Sequence, residues 1–246
     1  MCSSDLRTLF TNFPIAEEFS LSTDDTYHVM RVLRASVGDM LYVMDSRGAE
    51  FTCEIIRVDG DRALLRPIEQ TKEAPEKGAD LVLAAALLKN DKFEWAVQKA
   101  AELGVNRIVP IQMEHCVVKL NDDRRAERRR RWQKIALEAA KQCGRFDVPA
   151  VEAVKTLPEL IESFKSHFFL VPYEFETAPV TDAARKGAGR DTVICIGPEG
   201  GYAPQEIDLL RSAADCVTVS LGPRILRAET AAVAAVSIIM YERGFV

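Results

Sequence analysis

The chain has 246 residues, 48% of them hydrophobic and 28% charged, with a formal net charge of -5 and a sequence pI of about 5.4. That is the composition of a globular protein with room for one large domain, or for a small domain beside a medium one. The acidic balance excludes a protein that coats itself in nucleic acid non-specifically, while leaving room for RNA held by a local basic patch. From the N-terminus, Met1-Cys2-Ser3-Ser4-Asp5 shows no basic stretch leading into an apolar core, so no secretory leader is expected. No apolar run approaches the roughly 18 residues of a membrane helix. The six cysteines, Cys2, Cys53, Cys116, Cys143, Cys195 and Cys216, are scattered, and none falls in a Cys-x-x-Cys pair. They read as reduced thiols of a soluble, cytoplasmic protein, without a metal site or a disulfide frame.

The first 70 residues contain short β-like runs at Met40–Met44, Glu50–Ile56 and Ala63–Ile68, separated by turn signals at Val37-Gly38-Asp39, Asp45-Ser46-Arg47-Gly48 and Asp59-Gly60-Asp61. Such spacing suggests a small β-barrel. Thr71 to Gly78 is polar, with Pro75 and Gly78, and reads as a linker. From Asp80 the texture changes to alternating strands and helices. Leu81–Leu88 is a continuous apolar run, as expected of a parallel strand covered on both faces. Asp91–Leu103 places Phe93, Ala96, Val97, Ala100 and Leu103 at helical spacing, and Gly104 stands where a left-handed C-cap belongs. Further strands are expected at Arg107–Ile111, Phe168–Val171, Thr192–Ile196 and Cys216–Ser220. The fold class is therefore α/β with a mainly parallel sheet, preceded by a small β domain.

Two segments carry chemistry. Ile196-Gly197-Pro198-Glu199-Gly200-Gly201 follows an apolar strand and precedes a helix beginning near Pro204. Its glycines allow a sharp bend and close approach of a ligand to the main chain, although a plain strand-to-helix turn has the same spacing. It is not the Gly-x-Gly-x-x-Gly dinucleotide fingerprint. The second segment, Leu221-Gly222-Pro223-Arg224-Ile225-Leu226-Arg227-Ala228-Glu229-Thr230-Ala231, leads into an alanine-rich apolar helix expected over Ala231–Met240. Arg227, Glu229 and Thr230 at the mouth of so apolar a helix mark a ligand site or, on the plainer reading, a helix cap.

Together these segments resemble the SPOUT superfamily of knotted methyltransferases, and within it the RsmE-type ribosomal RNA (uracil-N3) methyltransferases. His28-Val29-Met30-Arg31-Val32-Leu33-Arg34, Gln98 to Val105, and Trp132 through Gln142 with Arg145 and Pro149 match further family segments in the same order. The resemblance covers nearly the whole chain. It implies a PUA-like RNA-binding β-barrel over residues 1–70, a linker over 71–79 and a trefoil-knotted SPOUT methyltransferase domain over 80–246. It also implies a homodimer acting on 16S ribosomal RNA or the small ribosomal subunit, with S-adenosyl-L-methionine as cofactor. Cofactor contacts are then expected from Leu170 and Glu174, from Gly197, Pro198, Glu199, Gly200 and Gly201, and from Leu221, Gly222, Ile225, Leu226, Thr230 and Ala231. RNA contacts are expected from Arg7, His28, Arg31 and Arg34, from Lys89 and Lys92, and from Arg124, Arg125 and Arg128. Two positions depart from the family pattern. Ala203 stands where Ser or Thr often caps the next helix, and the N-terminal Arg-x-Phe-Phe appears as Arg7-Thr8-Leu9-Phe10.

Methylation at uridine N3 requires loss of a weakly acidic proton and stabilisation of the resulting anion. Arg227 is the first candidate for that stabilisation, followed by Arg145 and Arg34, while Glu229 or Glu199 could take the proton or attract a sulfonium. Residues 119–134 hold eight basic and three acidic side chains, a local net charge of +5, and suit phosphate contacts unless they are merely a solvated helix face. Residues 1–70 hold seven Arg, no Lys and twelve acids, so RNA binding there would be confined to one face. The rival readings are a SPOUT ribose 2′-O-methyltransferase, whose usual C-terminal asparagine motif is absent here, and a non-catalytic RNA-binding or ribosome-assembly protein.

Overall fold

The computed structural model describes residues 9–11, 13–73, 78–145, 147–212 and 215–244. Arg7 lies outside them, as does the centre of the expected linker. The chain divides into two units: Met1–Lys77 with Lys141–Asp147, and Gly78–Ala140 with Val148–Val246.

In the first unit, strands β1 (Leu9–Phe10), β2 (Phe19–Ser20), β3 (Met40–Met44), β4 (Glu50–Asp59) and β5 (Arg62–Lys72) form one mixed sheet in the order β1-β3-β4-β5-β2. Alternation sends Leu41, Val43, Cys53, Ile55, Ala63 and Leu65 inward to a core completed by Leu9, Ile15, Phe19, Leu21 and Val29. The turn after β3 is fixed by Asp45, whose carboxylate accepts hydrogen bonds from the Arg47 and Ala49 amides at 2.8 and 3.0 Å. Burial pushes that carboxyl up, but the donors from Arg47, Ala49 and Ile15 outweigh it and hold Asp45 below its usual range. β5 runs further than the pattern suggests. Thr71 donates to the Glu50 carboxylate at 2.9 Å and Lys72 pairs with it at 3.0 Å, so both residues belong to the strand and not to the expected linker.

A helix also interrupts the β-like region. α1 (Thr23–Tyr27), capped by the Ser22 hydroxyl, passes into a π-turn at His28–Val32, where the Leu33 amide reaches back to the His28 carbonyl at 3.0 Å. The π-turn carries the His28–Arg34 motif, and Arg34 follows it with φ +57°. Turns of this kind cost regular hydrogen bonding and are frequent at functional positions.

The second unit is an α/β layer structure. Its elements are β6 (Leu81–Ala86), α2 (Lys92–Leu103), β7 (Arg107–Gln112), α3 (Asp122–Cys143, whose last three residues fall in the first unit), β8 (Ala150–Val151), β9 (Lys155–Thr156), α4 (Leu157–Ser163), β10 (Phe168–Pro172), α5 (Val180–Gly187), β11 (Thr192–Ile196), α6 (Pro204–Ser212), β12 (Cys216–Val219) and α7 (Ala228–Glu242). The sheet order is β12-β10-β11-β6-β7-β8, with β9 also pairing with β7, and every pairing is parallel. β6 and β11 are buried at every position, which explains their unbroken apolar sequences. Gly104 takes φ +103° at the end of α2, the left-handed cap that its position suggests. α7 starts three residues earlier than the apolar run: Ala228–Thr230 form its first turn, sealed by a 2.8 Å bond from the Ala231 amide to the Arg227 carbonyl. Arg227 thus occupies the N-cap position, without a side-chain capping bond.

Candidate active site

In a parallel sheet all the strands end on one side, and the turns that follow them form the usual ligand-binding edge. β12, β10 and β11 are neighbours in that order, so the turns after them lie on one edge of the sheet. A cleft of about 140 Å³ opens there, lined by Pro172 at the end of β10, by Tyr173 and Glu174 after it, and by Ser220 to Leu226 and Ala231 after β12. Of the expected cofactor contacts, Glu174, Leu221, Gly222, Ile225, Leu226 and Ala231 line this cleft. Leu170 does not: it is fully buried within β10, and the cleft begins two residues later at Pro172. Thr230, in the first turn of α7, is exposed and also lies outside the lining.

The turn Gly197–Gly201 adjoins the cleft through Glu174. Gly201 has φ +72°, and a Cβ built on it would sit 2.7 Å from Glu174 Oε1, so the backbone there accommodates glycine alone without strain. The remaining glycines of the turn serve packing against the protein itself. The Tyr202 ring occupies the space a Cβ would take at Gly197, and His115 does the same at Gly200. Tyr202 is buried, which pushes its phenol well above the ordinary range, and its hydroxyl donates to the Cys195 carbonyl at 2.6 Å.

Side chains from elsewhere hold this turn in place. His115 Nδ1 lies 3.2 and 3.1 Å from the carbonyl oxygens of Gly200 and Gly201, so that nitrogen must carry the proton. Glu206 Oε2 accepts the Ala203 amide and Oε1 accepts the Glu114 amide, both at 2.9 Å. The missing Ser or Thr cap at Ala203 is therefore partly replaced by the returning half of a capping box. Glu199 Oε1 accepts the Lys89 amide at 3.2 Å and the Lys92 ammonium at 3.4 Å. Sequence reasoning missed His115 and Glu206. The glutamate three residues after Ala203 was a readable capping signal, whereas His115 meets partners 85 and 86 residues away and leaves no local trace.

The charged groups at the mouth of α7 differ in what they are free to do. Glu229 is largely buried, with its side chain 13% exposed; Oε1 lies 3.8 Å from the Lys92 ammonium, and Oε2 has no hydrogen-bond partner among the described residues. Arg224 and Arg227 are exposed and have no side-chain partner among the described residues. Arg145, the second expected catalytic arginine, belongs to the first unit and pairs with both carboxylate oxygens of Asp147 at 3.0 Å.

The expected RNA-binding residues also separate into groups. His28 is half-buried, while Arg31, Arg34 and Lys89 are exposed. On α3, Arg128 and Arg131 both grip Glu94, at 3.2 and 2.7 Å. Arg125 donates to the Leu120 carbonyl and Arg129 to that of Val151. Arg124, Arg130 and Lys134 are exposed and carry no side-chain pairing among the described residues, so the free positive charge of the run is narrower than its composition suggests. Among the described residues there is no cluster of metal-ligating side chains, and no helix is long and apolar enough to cross a membrane.

The family models that match are an RNA methyltransferase domain over residues 75–240 and an RNA methyltransferase PUA domain over residues 21–68. The parallel sheet with its carboxyl-edge cleft is accordingly the catalytic domain of an RNA methyltransferase, and the mixed sheet is its PUA-like companion. The chain is 36% identical to the ribosomal RNA small subunit methyltransferase E of Bacillus subtilis (strain 168), over 92% of this chain and 91% of the relative. It is 30% identical to the protein of the same name from Rickettsia conorii, over 93% of each. The crystal structure of a ribosomal RNA small subunit methyltransferase E from Neisseria gonorrhoeae bound to S-adenosyl methionine matches with a TM-score of 0.83 at 27% identity, over 96% of this chain and 97% of that one. The chain belongs to the ribosomal RNA small subunit methyltransferase E family.

Proposed function

We propose that the protein transfers the methyl group of S-adenosylmethionine to N3 of one uridine in 16S ribosomal RNA. The observation that carries this reading is the cleft where the turns after β10 and β12 meet, with Gly201 of the β11 turn against Glu174 at its side. The residues fit such a cofactor. Leu221, Ile225 and Leu226 offer apolar cover for an adenine ring, the main chain around Ser220–Gly222 offers hydrogen bonds, and the carboxylate of Glu174 suits a sulfonium cation. The cleft, about 140 Å³ in volume, is open to solvent along the exposed Gly222–Ile225 stretch.

Bound S-adenosylmethionine supplies an already activated methyl group. The chain must supply position, a proton acceptor and a charge to stabilise the uracil anion. Glu229, with one buried and unpaired carboxylate oxygen, is the acceptor in this reading, and Arg227 is the stabilising cation. Glu199 is engaged by Lys89 and Lys92 and serves to anchor its turn. The insertion of β11 between β6 and β10, followed by β12 beyond β10, supports a trefoil-knotted SPOUT arrangement. The family resemblance supports a homodimer and a cytoplasmic site of action on the small ribosomal subunit. RNA contacts fall to Arg31 and Arg34 in the PUA-like unit and to Arg124 with Arg130 on α3.

The test is to delete the gene and map methylated nucleotides in the small-subunit rRNA by mass spectrometry. One uridine is expected to lose an N3-methyl group and regain it when the wild-type gene is restored. Loss of a ribose 2′-O-methyl group, or no change at all, would overturn the proposal.

A further inference from the structure

Lys92, expected from sequence to contact RNA, is engaged inside the protein. It is the first residue of α2, and its ammonium lies 3.4 Å from Glu199 Oε1 in the β11 turn and 3.8 Å from Glu229 Oε1 at the mouth of α7. The preceding Lys89 amide adds a second bond to the same Glu199 oxygen, at 3.2 Å. One short segment before and at the start of α2 therefore grips both glycine-bearing segments. The three side chains are only 31%, 24% and 13% exposed, so the arrangement is shielded from the full screening that makes surface ion pairs weak. A lysine balanced by two carboxylates has little positive potential left for a phosphate.

We propose that Lys92 is a positioning residue for methyl transfer, tying the Gly197–Gly201 turn to the N-terminus of α7 and holding Glu229 with one carboxylate oxygen unpaired. This rests on the methyltransferase reading above. The unpaired Glu229 Oε2 is the independent sign of a function at this point, because a buried carboxylate oxygen without a donor is costly unless a ligand supplies one. Lys92 turns Oε1 toward itself and so fixes which oxygen stays open. Without the ammonium, Glu199 and Glu229 would face one another as uncompensated acids, and the two turns would move apart.

The experiment titrates purified wild type, Lys92→Met and Lys92→Arg with S-adenosylhomocysteine by calorimetry and measures steady-state methylation of rRNA. Methionine keeps much of the apolar stem, so melting temperature reports whether the variant is folded. Lys92→Met is expected to bind S-adenosylhomocysteine about tenfold more weakly or worse, and to lose kcat as well. RNA affinity and its salt dependence are expected to stay at the wild-type values. Lys92→Arg is expected to restore most of both losses, because a guanidinium can bridge two carboxylates. Unchanged ligand affinity and kcat in Lys92→Met would overturn the proposal, as would a loss confined to RNA affinity with a shallower salt slope. A wild-type protein that binds no S-adenosylhomocysteine would instead sink the methyltransferase reading, and this inference with it.

Discussion

Replacing Arg227 with alanine is expected to lower kcat by about a hundred- to a thousandfold while S-adenosylhomocysteine affinity stays within about threefold. The guanidinium stands at the N-cap of α7, exposed and without a protein partner among the described residues, beside the cleft-lining Leu226. Arg145 is engaged with Asp147 and Lys92 with two glutamates, whereas the Arg227 guanidinium carries no side-chain partner among the described residues and is free to meet a uracil anion. Its location also carries a thermodynamic signature. A cation at a helix N-terminus opposes the helix dipole, so the alanine variant should melt at the same temperature as wild type or slightly higher. Activity and stability moving in opposite directions is the mark of a residue kept for function. Lysine at this position should recover only part of the rate, because it lacks the planar fork that matches uracil oxygens. Steady-state methylation assays, together with calorimetric titration, check the split. Wild-type turnover in Arg227→Ala would remove this residue from the chemistry.

Glu229→Gln is the second large effect. Glutamine keeps the shape and can still receive a hydrogen bond, but it cannot take a proton at neutral pH. Loss of a proton acceptor costs about a hundred- to ten-thousandfold in rate. The expected result is a fall of at least about a hundredfold in kcat with the protein still folded. The reason lies in the contrast between the two acids that the sequence could not separate. One oxygen of Glu199 already carries two donors, whereas Glu229 Oε2 is buried and carries none. Single-turnover methylation with saturating cofactor would show it most cleanly. A rate within a few-fold of wild type would move the proton to solvent or to the RNA, and leave Glu229 as a partner of Lys92 only.

Much of the parallel domain was readable from local pattern. β11 and β3 run over the residues expected, Gly104 caps α2 in the left-handed region, and both glycine-bearing turns follow strands of one sheet. These features depend on neighbours in sequence: an apolar run, a turn residue, a helix start. What was not readable depends on distant partners. Strand β5 continues through Thr71 and Lys72 because Glu50 of β4 receives both side chains. The helix and π-turn over Thr23–Val32 are too short and polar to show a period, although they carry the His28–Arg34 motif. The basic run on α3 looked like uniform phosphate-binding charge, yet Glu94 engages Arg128 and Arg131 from 34 and 37 residues away. Lys92 looked like one more surface cation for the same reason. Leu170 is expected from its motif to meet the cofactor, and its side chain lies buried inside β10, outside the lining of the cleft.

Everything proposed for this protein depends on the turns at the carboxyl edge of the β12-β10-β11 sheet region holding a methyl donor. Calorimetric titration of the wild-type protein with S-adenosylhomocysteine tests it most directly. Saturable binding is expected, one ligand per chain, at a dissociation constant in the micromolar range, roughly -8 kcal/mol. A folded protein that releases or absorbs no heat of binding and shows no ligand-induced rise in melting temperature would contradict it.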